Sequence, residues 1–227
     1  MLREWEQIPR FLRIEEVRPY YESLQRKKVS MALKKIFDMI MSTSMLVILS
    51  PVMIVISVVI VLDSRGGVFF RQERITQYGK KFRIFKFRTM VANADQIGSQ
   101  VTVKNDMRVT KVGAVLRKFR IDEFPQLLNI MTGDMSFVGT RPETPKYVKR
   151  YTSEMMATLL LPAGITSEAS IKYKDEAKLL EAATNVDDTY VNEVLPAKMK
   201  YNFESIKKFS FLQDIMTMIK TVIAVMK

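Results

Sequence analysis

Between Met39 and Leu62 the chain runs through 24 positions without one charged side chain. An apolar segment of roughly 20 residues is long enough to cross a bilayer as a helix, and so long an uncharged run argues against a buried helix of a soluble core. Ser50-Pro51 falls near its middle, where proline removes a helical hydrogen bond and crowds the preceding turn. Both flanks are basic: Lys27, Lys28, Lys34 and Lys35 come before, and Arg65, Arg71, Arg74, Lys80 and Lys81 after. The positive-inside bias therefore keeps both ends on the cytoplasmic side. A helix-break-helix hairpin dipping into one leaflet satisfies both features, and a kinked helix that crosses is the alternative.

The pattern ahead of this segment is polar with scattered apolar positions (Trp5, Ile8, Phe11, Leu12, Ile14), and predicts one or two surface helices. No cleavable signal fits, because the apolar segment starts too late. After it the periodicity becomes that of a folded domain. Val68-Phe69-Phe70 and the run from Phe82 to Phe87 predict short strands around a turn at Tyr78-Gly79-Lys80. Val112, Val115, Leu116 and Phe119 share one helical face, with Arg117, Lys118 and Arg120 pointing away. Leu161-Pro162-Ala163-Gly164 marks a loop, and residues 175–201 read as mostly helical. From Phe211 onward Leu212, Ile215, Met216, Ile219, Val222, Ile223 and Met226 form the stripe of an amphipathic helix. Such a stripe packs on a core or, beside a membrane anchor, lies in the interface.

Charge changes this picture in one place. Of a net +12, the stretch from Arg65 to Arg120 carries +11, with 14 Lys or Arg against Glu73, Asp95 and Asp106. A solvated basic face is the plainest account. No nucleic-acid-binding motif accompanies it, whereas anionic headgroups or a phosphate-rich substrate at a membrane explain both the charge and its position. The chain has neither Cys nor His. That excludes disulfides, thiol nucleophiles, histidine bases and most zinc sites. Chemistry must run on carboxylates, Lys, Arg, Tyr and hydroxyls, with a hard cation as the natural partner.

The strongest local candidate is Ile121-Asp122-Glu123-Phe124-Pro125-Gln126, adjacent carboxylates at the end of the basic stretch. Aspartate is among the few residues left able to form a covalent phosphoryl intermediate, and a neighbouring Glu suits a divalent cation. Asp ahead of a proline is also a common helix N-cap. A second candidate is Gly133-Asp134-Met135-Ser136-Phe137-Val138-Gly139-Thr140-Arg141-Pro142-Glu143, where Arg141 before a proline suits phosphate recognition or decorates a tight turn. The third, Lys86-Phe87-Arg88-Thr89-Met90, reads equally as an ordinary strand.

Taken in order, the Ser50-Pro51 segment, Arg71-Gln72-Glu73-Arg74, Gly79-Lys80-Lys81-Phe82, Lys86-Phe87-Arg88-Thr89-Met90, Asp122 to Leu127 and Gly133 to Pro142 resemble the bacterial sugar transferases, the monotopic polyprenyl-phosphate phosphoglycosyl transferases. The likeness covers roughly residues 30–170. It implies an α/β-mixed, helix-rich fold: a re-entrant membrane helix over 31–64 broken at Ser50-Pro51, and a cytoplasmic catalytic domain over 65–227 with a small sheet and amphipathic surface helices. Residues 1–30, which the likeness does not reach, read from their own pattern as a surface extension. It further implies that Asp122 attacks the β-phosphate of a UDP-sugar and that Asp122 and Glu123 hold Mg²⁺. Lys86, Arg88 and Arg141 would bind phosphate, and a polyprenyl phosphate would accept the sugar phosphate at the bacterial inner membrane. The implied partners are the UDP-sugar, the polyprenyl phosphate and membrane lipid, without nucleic acid; a homodimer stays open. A non-catalytic, membrane-anchored binding protein on the same scaffold is the alternative. The chain departs from the family at Thr140, where many members have Pro, and from Leu161 to Lys174, a region expected to shape the sugar pocket.

Overall fold

A computed structural model describes residues 2–94, 106–174 and 185–226. Two short 3-10 turns and helix α1 (Arg18–Gln25) lead into α2 (Lys28–Asp63), which takes up the whole uncharged run. The hairpin β1 (Phe69–Ile75) and β2 (Lys81–Phe87) follows, then α3 (Lys111–Lys118), α4 (Gln126–Met131), β3 (Met135–Val138) and α5 (Pro145–Val148). Strand β4 (Ala163–Thr166), α6 (Glu168–Lys172), α7 (Val186–Thr189), α8 (Leu195–Lys207) and α9 (Phe211–Met226) complete the order. The fold is helix-rich α/β, with an antiparallel pair β1–β2 and a parallel pair β3–β4. Of the helix expected over 175–201, residues 175–184 lie outside the described residues.

The expected division of the membrane segment at Ser50-Pro51 is not present: α2 is one helix of 36 residues with Pro51 inside it, about 54 Å long at 1.5 Å per residue. Local chemistry explains the continuity. Pro51 has no N–H for the carbonyl four residues back, which is that of Val47. The Ser50 hydroxyl donates to this same carbonyl at 2.8 Å. The orphaned acceptor is satisfied within the helix, as an apolar setting requires.

One face of α2 is packed along its length. Phe37, Met41, Met45, Leu46 and Leu49 lie against the cluster of Phe82, Leu127, Ile130 and Phe137. Farther along, Met53, Ile56 and Ile60 meet Phe87 and Leu116. The opposite face is bare, with Val47, Ile48, Val55, Val58 and Leu62 exposed. Helix α9 repeats the inversion. Its stripe of Leu212, Met216, Ile219 and Val222 faces outward, while its polar side faces the protein: Lys220 pairs with Glu168, Thr221 with Thr166, and Asp214 with Lys34. On α3 the single apolar face expected from the sequence divides: Leu116 is buried, whereas Val115 and Phe119 are exposed. Apolar surface outside and polar surface inside is the reverse of a soluble fold, and with the apolar α2 it marks a membrane-anchored protein.

The short helical elements expected ahead of α2 are present, and their apolar residues pack into the domain rather than standing apart from it. Ile8, Leu12, Val17, Tyr20, Tyr21 and Leu24 are buried in one cluster with Leu160, Ile206 and Phe209. Ser23 and Lys27 also donate to the Lys207 carbonyl at 3.2 and 2.9 Å.

Candidate active site

The dyad sits in a single 3-10 turn, Ile121–Glu123, between α3 and α4. Arg120 enters it with φ of 54°, in the left-handed region, a conformation costing a non-glycine residue about 1 kcal/mol and recurrent at functional sites. Helix α4 begins after Pro125 with no side-chain cap, and neither dyad carboxylate caps the 3-10 turn. The helix-cap account of Asp122 is therefore not supported. Both side chains are buried, at 8% exposure each, so each charge needs a partner.

Glu123 has two. Lys86 Nζ, from β2, lies 2.9 Å from Glu123 Oε1, and Arg141 Nη2 donates to the same oxygen at 2.9 Å. Burial alone would raise the Glu123 carboxyl, but Lys86, Arg141 and Arg120 together outweigh it and hold the group well below the usual carboxylate range. Asp122 is differently placed. Among the described residues it takes part in no hydrogen bond, and its nearest cation, Lys86 Nζ, is 4.0 Å from Oδ2. Burial raises its carboxyl; Lys86, Arg117 and Arg141 pull it back while Glu123 pushes it further up, and the net direction is upward. Adjacent carboxylates are thus driven apart, Glu123 held as an anion by two cations and Asp122 raised by burial with no hydrogen bond among the described residues. Burial lowers Lys86, against the pull of Glu123 and Asp122.

Each cation has its own support. Asn129 of α4 accepts from the Phe85 N–H at 2.8 Å and donates to the Arg83 carbonyl at 3.1 Å. These bonds serve the edge of β2 that β1 does not pair, and fix the strand carrying Lys86. Arg141 lies just beyond β3, where Gly139 N donates to Thr166 O at 3.0 Å and Gly164 N to Thr140 O at 2.9 Å. Arg74 Nη1 holds the Pro142 carbonyl at 3.1 Å, and Ile75 N donates to Glu143 O at 3.0 Å.

The two strands approach so closely that a Cβ on Gly164 would stand 2.1 Å from Gly139 N. The Gly164→Ala variant is expected to lose about 1–3 kcal/mol, the range for forced overpacking, seen as a lower denaturant midpoint with unchanged slope. A midpoint equal to wild type would mean that the strands separate freely.

The sequence-predicted residues divide. Asp122, Glu123, Lys86 and Arg141 meet in one site. Arg88 makes its described hydrogen bonds elsewhere: Nη2 donates to the carbonyls of Ile60 and Ser64 at 3.2 and 2.6 Å and contacts Ser64 Oγ at 3.1 Å, holding the C-terminal end of α2. Ser50 and Pro51 lie within α2 and are both exposed, away from the dyad. Arg117, expected to point away from the apolar face, instead turns inward. Burial lowers its guanidinium while Asp122 raises it. Its place five residues before the dyad was the available signal. Asn129 carried none, and Arg74 stood out only as part of the Arg71-Gln72-Glu73-Arg74 run, since their roles arise only when separate elements meet.

The family model for bacterial sugar transferase matches residues 29–227. The chain is 36% identical over 193 residues to the UDP-N-acetylgalactosamine-undecaprenyl-phosphate N-acetylgalactosaminephosphotransferase of Aeromonas hydrophila, an alignment that covers 84% of this chain and 43% of that protein. It is 34% identical over 199 residues to the UDP-glucose:undecaprenyl-phosphate glucose-1-phosphate transferase of Escherichia coli, covering 86% of this chain and 40% of that protein. To the exopolysaccharide production protein ExoY of Rhizobium meliloti it is 30% identical over 207 residues, covering 85% and 84%. The chain thus spans less than half the length of the first two relatives and most of the third.

Proposed function

The chain belongs to the bacterial sugar transferase family, and from that premise we propose that it moves a sugar 1-phosphate from a UDP-sugar to a polyprenyl phosphate at a membrane surface, releasing UMP. The observation that carries this reading is the asymmetry of the dyad: Glu123 is held by Lys86 and Arg141, which leaves the buried Asp122 as the free carboxylate beside a basic cluster. Relatives named for undecaprenyl-phosphate sugar phosphotransfer support the reaction class. Because they are named for different sugars, they do not name this donor.

An Asp122 oxygen forms a bond to the β-phosphorus of the donor. The bond from that phosphorus to the oxygen bridging the α-phosphate breaks, and its electron pair leaves with UMP. An oxygen of the polyprenyl phosphate then attacks the same phosphorus, displaces Asp122 as a free carboxylate and yields a polyprenyl-diphosphate sugar. Lys86, Arg117 and Arg141 exceed the two dyad carboxylates by one positive charge, which suits a diphosphate entering this cluster. Arg141, three residues beyond β3, holds a phosphate oxygen while remaining tied to Glu123. We assign the same task to Arg88 only through the nitrogens it does not spend on α2.

Mg²⁺ belongs to this proposal. The dyad offers two hard carboxylates, and among the described residues no group of three or more His, Cys, Asp or Glu gathers as a metal cage. That donor set fits an ion shared by one or two carboxylates and substrate phosphates, which is how Mg²⁺ is commonly held. When bound, the ion neutralises phosphate charge and aids departure of the leaving group.

The packing of α2 along one face supports a shallow, monotopic seat with the site at the cytoplasmic surface. A helix crossing upright would draw Phe82, Leu127 and the charged site beside them into hydrocarbon, at a cost for every unpaired polar group.

Detergent-purified protein with Mg²⁺, undecaprenyl phosphate and a panel of UDP-sugars tests the reaction. The expected result is UMP from one donor, with the β-phosphorus recovered in a lipid-soluble product. UMP formation with the sugar phosphate recovered only in water would point to a hydrolase and reject the transfer.

A further inference from the structure

Helix α2 is uncharged from Met39 to Leu62, yet Asp38 stands at the margin of that run, 7% exposed. A buried carboxylate beside a membrane segment is costly unless its partners use it. Its partners are specific. Ser136 Oγ donates to Asp38 Oδ2 at 2.7 Å and Phe137 N approaches Oδ1 at 3.5 Å. Lys34 Nζ lies 3.9 Å from Asp38 and 2.6 Å from Asp214 of α9. Ser136 and Phe137 belong to β3, the strand that runs directly to Arg141.

The other end of α2 is gripped in the same way. Arg88 donates to the carbonyls of Ile60 and Ser64. It lies just beyond β2, two residues after Lys86. Thus each of the two cations on Glu123 is borne by a segment anchored to α2. The anchor points, Asp38 and Ile60, are 22 residues apart, about 33 Å along the helix. Pro51 lies between them.

We propose that α2, besides anchoring the chain, is the frame that sets Lys86 and Arg141 at their spacing around Glu123, with Asp38, Ser136 and Arg88 as positioning residues. The proposal rests on the transfer reading only in taking the cations of Glu123 as part of the working site. Asp38 touches no reacting atom; it acts through Ser136 and the backbone from Ser136 to Arg141. Arg88 acts through the backbone between itself and Lys86. Lys34, lying between Asp38 and Asp214, ties α9 to the same frame.

The test is a double-mutant cycle, which separates a residue acting through Arg141 from one that merely supports the fold. Ser136→Ala removes one buried hydroxyl and leaves Lys34 beside Asp38. It is expected to lower kcat about tenfold, equivalent to about 1.4 kcal/mol, with KM for the donor within twofold of wild type. In an Arg141→Gln background the same substitution is expected to have no further effect. Equal losses in both backgrounds, or no loss in either, would overturn the proposal. Because the chain has no Cys, Lys118→Cys and Lys149→Cys accept a pair of spin labels, and their separation needs no turnover. Ser136→Ala is expected to broaden that distance distribution, and an unchanged distribution would count against the frame even if the enzyme proved inactive on every donor. Silence in the UMP assay with broadened distances would reject the transfer reading and leave the frame standing.

Discussion

Asp122→Asn is expected to lower UMP release by at least about 10³-fold, the scale on which removal of a nucleophile is felt, while leaving the protein as stable as wild type or slightly more so. The two halves of this result have one cause. Asp122 is buried, its carboxyl lies above the ordinary range, and among the described residues it takes part in no hydrogen bond. A carboxylate whose folded pKa is raised binds its proton more tightly in the folded state. Stability therefore falls as pH rises from the ordinary carboxylate value through the raised one, and the charged form is a burden at neutral pH. The amide removes that burden and the nucleophile together. The same direction places the acidic limb of the pH–rate profile above the ordinary Asp value, since only the ionised form attacks. Thermal unfolding in detergent beside the UMP assay checks both. A lower midpoint with normal specific activity would return Asp122 to a structural role.

Glu123→Ala has the opposite signature. Glu123 Oε1 receives both Lys86 and Arg141, and its removal leaves two cations facing each other across a buried site. Taking one partner from a buried ion pair typically costs about 3–5 kcal/mol, and an unfolding midpoint lowered to match is the expected result. The pH sign is also opposite. The Glu123 carboxyl is depressed, so its stabilisation is fully present above the unfolded value and is lost as pH falls through the carboxylate range. The wild type should lose stability in acid more steeply than Glu123→Gln. Parallel acid-unfolding curves would show that Lys86 and Arg141 do not depend on Glu123.

Local signals in the sequence reached far because the chain's chemistry is concentrated. With no His or Cys, few side chains were left to carry catalysis, and adjacent carboxylates after a basic run stood out. The hairpin was legible because Tyr78 and Gly79 adopt the positive φ of a tight turn between alternating strands. The stripe of α9 was legible as a helix, but its direction was not, because a stripe facing lipid and one facing a core have the same spacing. The break expected at Pro51 failed for a related reason. Proline announces a missing hydrogen bond, and only the placement of Ser50 Oγ on Val47 O shows that the loss is made good.

The residues that escaped notice are those whose roles depend on distant partners. Asn129 serves the open edge of β2 across 44 positions, and Asp38 meets Ser136 across 98. Neither sits in a pattern with a short period. Arg88 lies in a run of alternating basic and aromatic residues whose spacing cannot tell a phosphate ligand from a clasp on a helix end. The N-terminal residues read as one or two surface helices because their apolar positions are scattered, and most of those positions are used in the core.

The most direct test of the account is a trapping experiment on Asp122. The protein is incubated with its UDP-sugar and Mg²⁺ but no polyprenyl phosphate, quenched in acid, digested and analysed by mass spectrometry. The account predicts UMP in amount equal to enzyme and a sugar-phosphate adduct on the peptide containing Asp122, which disappears when polyprenyl phosphate is added before quenching. UMP released only after the acceptor is added, with no adduct on that peptide, would mean direct transfer between substrates and would contradict the assignment of Asp122 as nucleophile.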